Sequence, residues 1–149
     1  MVSLTDLFAT CAEITGKALP ENGAEDSISF LSAALKQSDN NGRTSLVSHS
    51  NHGEFAWRDG PWKLVFKKSV PNLNQSRDQP TIAELYHLDK DISEANDVSA
   101  EYPEVVKRMT QGLSMVIDRG ASRPGVKGSN DTKVKFDTIQ LKRWGPAGE

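Results

Sequence analysis

A single cysteine stands in 149 residues, and that scarcity sets the first limits. Cys11 has no partner within the chain, so neither an internal disulfide framework nor a cysteine-rich zinc site can be built. Long apolar runs are missing too: no stretch approaches the roughly 20 residues that cross a bilayer. The start, MVSLTDLFAT, has no basic region, apolar core or cleavage site, and does not read as a signal peptide. Neither sign of charge dominates. A formal net charge of -2 gives no overall pull toward nucleic acid or an anionic membrane. Seven basic residues face two acidic ones from Arg119 to Arg143, but they are spread along an extended tail that reads as solvated. No glycine-rich phosphate loop occurs, and no serine sits in a nucleophile elbow. Hydrophobic residues make up 36%, which predicts one domain with a small core and much loop.

What is present is periodic. Leu4, Leu7, Phe8, Cys11 and Ile14 recur at helical spacing, with Ser3 or Thr5 as cap and Gly16 as stop. On that stripe Cys11 reads as a small buried hydrophobe. Ser27 is placed to cap a second short helix carrying Ile28, Leu31 and Leu35. A polar link, Gln37 to Arg43, leads to a strand at Ser45 to Ser48. Lys67 to Pro80 is a long, polar, proline-bracketed loop, and Thr81 to Leu88 a further strand. Pro103 suits the first turn of the longest helix, which runs to about Asp118 with Val106, Met109, Leu113 and Val116 inward and Gly120 as stop. One more strand is expected at Val134 to Leu141. The class is α+β: a small antiparallel β-sheet with a C-terminal helix packed on one face, preceded by two N-terminal helices.

The stretch SHSNHGEFAWRDGPWKLVF, headed by His49, holds the densest group of aromatic and ionisable side chains. Asp59-Gly60 between two apolar runs predicts a two-residue hairpin loop. That loop sets Arg58 opposite Pro61, Trp57 opposite Trp62, Ala56 opposite Lys63 and Phe55 opposite Leu64. Alternation then gives a core face of Phe55, Trp57, Trp62, Leu64 and Phe66. The polar face carries His52, Glu54, Ala56, Arg58, Lys63 and Val65.

Chemistry is thinner. His49 and His52 form an H-x-x-H pair with no third ligand at a diagnostic spacing, so they read as exposed loop histidines or as hydrogen-bonding residues beside a site, not as a metal centre. Arg58 and Lys63 either hold an anion such as sulfate, phosphate or carboxylate, or simply form a solvated strand face.

The order of VSLTDLFATCAEITGKALP, DSISFL, LVSHSNHGEFAWRDGPWKLV, ELYHLDKDISEANDVSAEYPEVVKRM and RPG resembles the C-terminal region of a bacterial arylsulfatase-type sulfatase. Ile92 and Asp97-Val98 depart from the family's usual turn, in a surface connection. The resemblance implies an alkaline-phosphatase-like architecture, with a large α/β domain preceding a small sheet domain. Residues 1–36 would be a helical remnant of the large domain and 44–149 the small C-terminal subdomain. It implies calcium and a formylglycine nucleophile for the intact enzyme, but no cofactor seat in this chain. Cys11, followed by Ala12, Glu13, Ile14 and Thr15, is not the cysteine of a C-x-P-x-R type motif. Small-domain loops of this family close over the pocket rim. The segment SHSNHG is the part expected to reach it, with His49 first, then His52, as substrate-binding residues, followed by Arg58 and Lys63. The first helix, packing on a surface that the chain does not supply, would then favour self-association. Two functions follow: the C-terminal portion of a sulfuric-ester hydrolase, inactive alone, or a stand-alone binding or oligomerisation module for a sulfated ligand or a protein partner.

Overall fold

A computed structural model describes residues 1–36, 42–50, 54–67 and 82–129. His52, the loop after Lys67, the expected strand at 134–141 and the basic end of the tail lie outside these residues. In chain order the elements are α1 (Asp6–Ile14), α2 (Leu31–Ala34), β1 (Ser45–His49), β2 (Phe55–Asp59), β3 (Trp62–Lys67), β4 (Ile82–His87) and α3 (Pro103–Arg119). The strands form one sheet in the order β1-β2-β3-β4, with β2·β3 and β3·β4 antiparallel. This is the expected α+β class. The described residues divide into two compact units, one from 1–46 and 115–129 and the other from 47–114.

In the second unit the hairpin closes one residue later than the Asp59-Gly60 signal predicts. Asp59 pairs with Trp62, Arg58 with Lys63, Trp57 with Leu64 and Ala56 with Val65, so the loop is Gly60-Pro61. Gly60 supplies the positive φ of 56° that the first loop position needs. Pro61 has no N–H to give a ladder, so the loop, not the strand, takes it. Sliding a two-residue loop by one position moves every partner by two. The period-two faces are therefore unchanged although each predicted pair is wrong.

Trp57, Leu64, Phe66, Ala83 and Leu85 are buried on one face, while Phe55 and Trp62, expected in the core, are only half-buried. Trp62 instead packs edge-on against His87 at 4.5 Å and tilted against Tyr102 at 5.1 Å. Helix α3 begins at Pro103 as expected, and Val106, Met109 and Leu113 are buried, with Val116 half-buried. Gly112 faces the Trp57 indole, where an added Cβ would sit 3.5 Å from Nε1. Burying each such Leu or Met side chain contributes about 1.5–3 kcal/mol.

On the outer edge of β4, Leu85 donates its N–H to Asp97 Oδ1 at 3.0 Å, and its carbonyl accepts from the Val98 N–H at 2.9 Å. Asp97 also accepts from the Ser99 amide and hydroxyl.

In the first unit α1 ends at Gly16, whose φ is +64°. Its inward residues are Asp6, Ala9 and Thr10. The apolar stripe points the other way, with Leu4 87%, Phe8 57% and Ile14 63% exposed. Cys11, expected to be buried, is exposed with them. Ser27 does not cap α2, where the N-cap residue Phe30 has no side-chain cap and the Leu31 N–H donates to Ser29 Oγ at 3.2 Å. Ser27 serves α1 instead: its Oγ accepts from the Ala9 N–H at 2.8 Å and donates to the Thr5 carbonyl at 2.6 Å. Gly120, at φ +67°, stops α3 as expected, and the Gly128 N–H donates to the Arg119 carbonyl at 2.9 Å.

Candidate functional site

The four sequence-selected residues do not converge. His49 ends β1, is exposed, and sets its ring 4.3 Å from that of Phe55. Next to it, Ser50 donates its N–H to the Glu54 carbonyl at 2.9 Å and its hydroxyl to Glu54 Oε2 at 3.0 Å. His52 falls outside the described residues. Arg58 and Lys63 are direct cross-strand partners, as adjacent cations on one sheet face. Phe55 lies on the opposite face by alternation, so the histidine and the two cations belong to different sides of the hairpin.

The two cations differ in availability. Lys63 Nζ donates to both oxygens of Glu94, at 2.6 and 2.8 Å, which neutralises it. Glu94 holds a φ of +55°, uncommon for a residue with a side chain, and reaches Lys63 from there. Arg58 donates through Nε to the Gly60 carbonyl at 3.3 Å and is half-buried. Its other guanidinium nitrogens make no hydrogen bond to the described residues. Nothing in local sequence pointed to Glu94, since it lies 31 residues from Lys63.

Further along the same face Tyr86 opposes Lys63, and Glu84 opposes Val65. The Tyr86 hydroxyl donates to Glu84 Oε2 at 2.5 Å, and Lys67 forms an ion pair with the same carboxylate. Burial first, then the hydrogen bond to the Glu84 anion, hold the Tyr86 phenol well above its usual ionisation range. Asp91 is shifted the other way, lowered by the Asn96 amide and then the Ser93 hydroxyl.

The first unit holds a different cluster, also unseen in the sequence. Arg43, read as part of a polar link, is buried and forks onto Asp6, Nε to Oδ2 at 2.8 Å and Nη2 to Oδ1 at 2.6 Å. Burial alone would raise the Asp6 carboxyl. The Arg43 guanidinium and the Ser3 and Ile28 amides outweigh it and leave the group below its usual range. Beside α1 an open groove of about 390 Å3 is lined mainly by apolar atoms of Ala9, Ala12, Leu19, Ile28 and Pro124, with Arg123 at its wall. Among the described residues no three His, Cys, Asp or Glu side chains converge as a cation site. No helix among them is long and apolar enough to cross a membrane.

The chain is similar over most of its length to sulfatases, and the resemblance to their C-terminal region holds. It is 29% identical over 123 residues to the N-acetylgalactosamine-6-O-sulfatase of Bacteroides thetaiotaomicron, covering 80% of this chain and 24% of that protein. It is 30% identical over 132 residues to arylsulfatase K of Xenopus laevis, covering 79% of this chain and 22% of the relative. A solved Bacteroides thetaiotaomicron sulfatase, described with that organism's metabolism of multiple glycosaminoglycans, superposes with a TM-score of 0.64 at 30% identity, over 76% of this chain and 24% of its own. The fold alone is shared with Ps i-CgsB, solved in complex with k-i-k-neocarrahexaose, at 20% identity and a TM-score of 0.54 over 93% of this chain and 27% of that one. No protein-family model matches. The chain thus spans about a quarter of the length of the curated relatives it matches.

Proposed function

We propose that this chain is the C-terminal portion of a sulfuric-ester hydrolase, that it shapes the rim of the substrate pocket, and that it turns over no ester by itself. Residues 1–36 belong in this reading to the large domain and 44–149 to the small one. The observation that carries it is the match to sulfatases over four-fifths of this chain and under a quarter of theirs.

Sulfatases of this type employ a formylglycine nucleophile and calcium. The described residues do not fit either group: the single cysteine lacks the C-x-P-x-R context, and no cluster of three metal-ligating side chains exists among them. No step is therefore assigned here to calcium or formylglycine. The chain's own contribution is recognition. His49, exposed at the end of β1, and His52 can donate hydrogen bonds to a sulfate or leaving-group oxygen. Arg58 offers free guanidinium donors on the other hairpin face, whereas Lys63 spends its charge on Glu94 and serves to hold the 89–97 connection.

The test is the purified chain with a chromogenic aryl sulfate and calcium beside a heat-inactivated control. No turnover above the control is expected. Reproducible turnover would overturn the reading and demand a new nucleophile. The alternative, a stand-alone binding module, draws no support from α1, whose apolar side is outward.

A further inference from the structure

The loop of residues 20–26, between α1 and α2, is tethered and strained. Arg123 Nη2 donates to the Pro20 and Gly23 carbonyls at 3.3 and 3.4 Å, and the Arg123 N–H donates to the Glu25 carbonyl at 2.8 Å. The Ser122 N–H donates to Asp26 Oδ1 at 2.8 Å. Between these ties Ala24 holds a φ of +58°, a left-handed conformation that is costly for a residue with a Cβ.

Asn22-Gly23 lies at the centre of this loop. Asn22 is exposed, and neither its side-chain amide nor the Gly23 N–H has a hydrogen-bond partner among the described residues. Gly23 has no side chain to shield its nitrogen from the amide before it. Asn96, the other asparagine among the described residues, differs on each count. Its N–H and its Nδ2 both donate to Asp91 Oδ2, at 2.8 and 3.5 Å, and the residue that follows it is Asp97.

We propose that Asn22 is a self-modification site, at which the chain turns its own amide into isoaspartate and so releases the 20–26 loop from Arg123. The Gly23 nitrogen forms a bond to Asn22 Cγ, the Cγ–Nδ2 bond breaks, and ammonia leaves with the proton that Gly23 gives up. Water then opens the cyclic imide at the main-chain carbonyl carbon of Asn22. That carbon becomes a free carboxylate, and the chain now runs through Cβ and Cγ. Nothing is oxidised or reduced. Between Pro20 and Gly23 the main chain gains a carbon–carbon bond of about 1.5 Å. Both Arg123 Nη2 contacts already lie near the long limit of a hydrogen bond, so a displacement of that size breaks at least one of them.

The chain is held at mildly alkaline pH beside a synthetic peptide of residues 18–26, and both are followed by mass spectrometry and an isoaspartate-specific methyltransferase. The segment around Asn22 in the folded chain gains the mass difference between an amide and an acid as fast as the free peptide, while the segment around Asn96 keeps its mass. Asn22→Gln, whose longer side chain closes the ring far less readily, stops the change. The modified chain, separated by its added negative charge, unfolds about 3–6 °C lower than the fresh chain. Asn22→Asp, which adds the charge without the extra bond, unfolds where the parent does. An Asn22 amide that survives in the folded chain while the free peptide loses its own overturns the site, as does an undiminished mass gain in Asn22→Gln. A modified chain that unfolds at the original temperature overturns the release, and so does an Asn22→Asp chain that unfolds as low as the modified one.

Discussion

Asp6 and Arg43, 37 residues apart, form a two-pronged ion pair in which each side chain is only 1% exposed. Breaking such a pair from one side strands the other charge. Arg43→Ala is therefore expected to destabilise by about 3–5 kcal/mol, whereas Asp6→Leu with Arg43→Met together costs far less. Urea denaturation of the three proteins checks this, and equal losses in the single and double variants would refute it.

The same pair gives an acid-side prediction. The Asp6 carboxyl is depressed below its ordinary 3.8, so its contribution is fully present above that value and disappears as pH falls through the lower, folded-state value. Unfolding temperature followed from pH 5 downward should drop less steeply in Arg43→Ala than in the parent chain.

Tyr86 produces the opposite dependence. Its phenol is raised above the usual 10.0, so the folded state resists ionisation. Stability contributed by the neutral phenol is whole below about pH 10 and is lost as the pH climbs beyond it. Tyr86→Phe should flatten the alkaline limb of the stability profile and remove a late-titrating tyrosinate absorbance. An unchanged alkaline limb would show that the Glu84 contact carries no such effect.

Two glycines separate cleanly. A Cβ at Gly112 meets Trp57 at ordinary contact distance, so Gly112→Ala should gain up to about 1 kcal/mol from helix propensity. A Cβ at Gly128 would lie 2.2 Å from the Gly120 carbonyl oxygen. Gly128→Ala must then push residues 126–129 away from Gly120, and its unfolding temperature should fall while that of Gly112→Ala rises.

Lys63 and Arg58 are neighbours with different duties. The Lys63–Glu94 side chains are about 30% exposed, so Lys63→Met should cost no more than about 1 kcal/mol. Hydrogen exchange should speed up across residues 89–97 in that variant and not in Arg58→Gln. Exchange unaltered by Lys63→Met would mean that Glu94 is held without it.

The legible part of this fold is the part written in local spacing. Pro103, the triplet Val106, Met109 and Leu113, and Gly120 located α3 almost to the residue, and alternation assigned the hairpin faces correctly. The loop was misread because Asp-Gly is the stronger dipeptide signal, while the backbone requirement that excludes Pro61 from a ladder decides the closure. Along α1 the spacing located the helix but not its direction. An apolar stripe normally faces the core, and only Arg43, far away in sequence, reveals that the Asp6 side is the inward one. The divided duties of Lys63 and Arg58 were illegible for the same reason, because Glu94 enters from a separate connection.

Leu85 has both main-chain groups on the outer edge of β4 occupied, one by a carboxylate and one by the Val98 amide. At that point the sheet presents no open template to an extended segment of another molecule. Strand stacking on this edge would have to begin by prising out Asp97 and Val98, so Asp97→Ala should turn a silent margin into a nucleation point for aggregation.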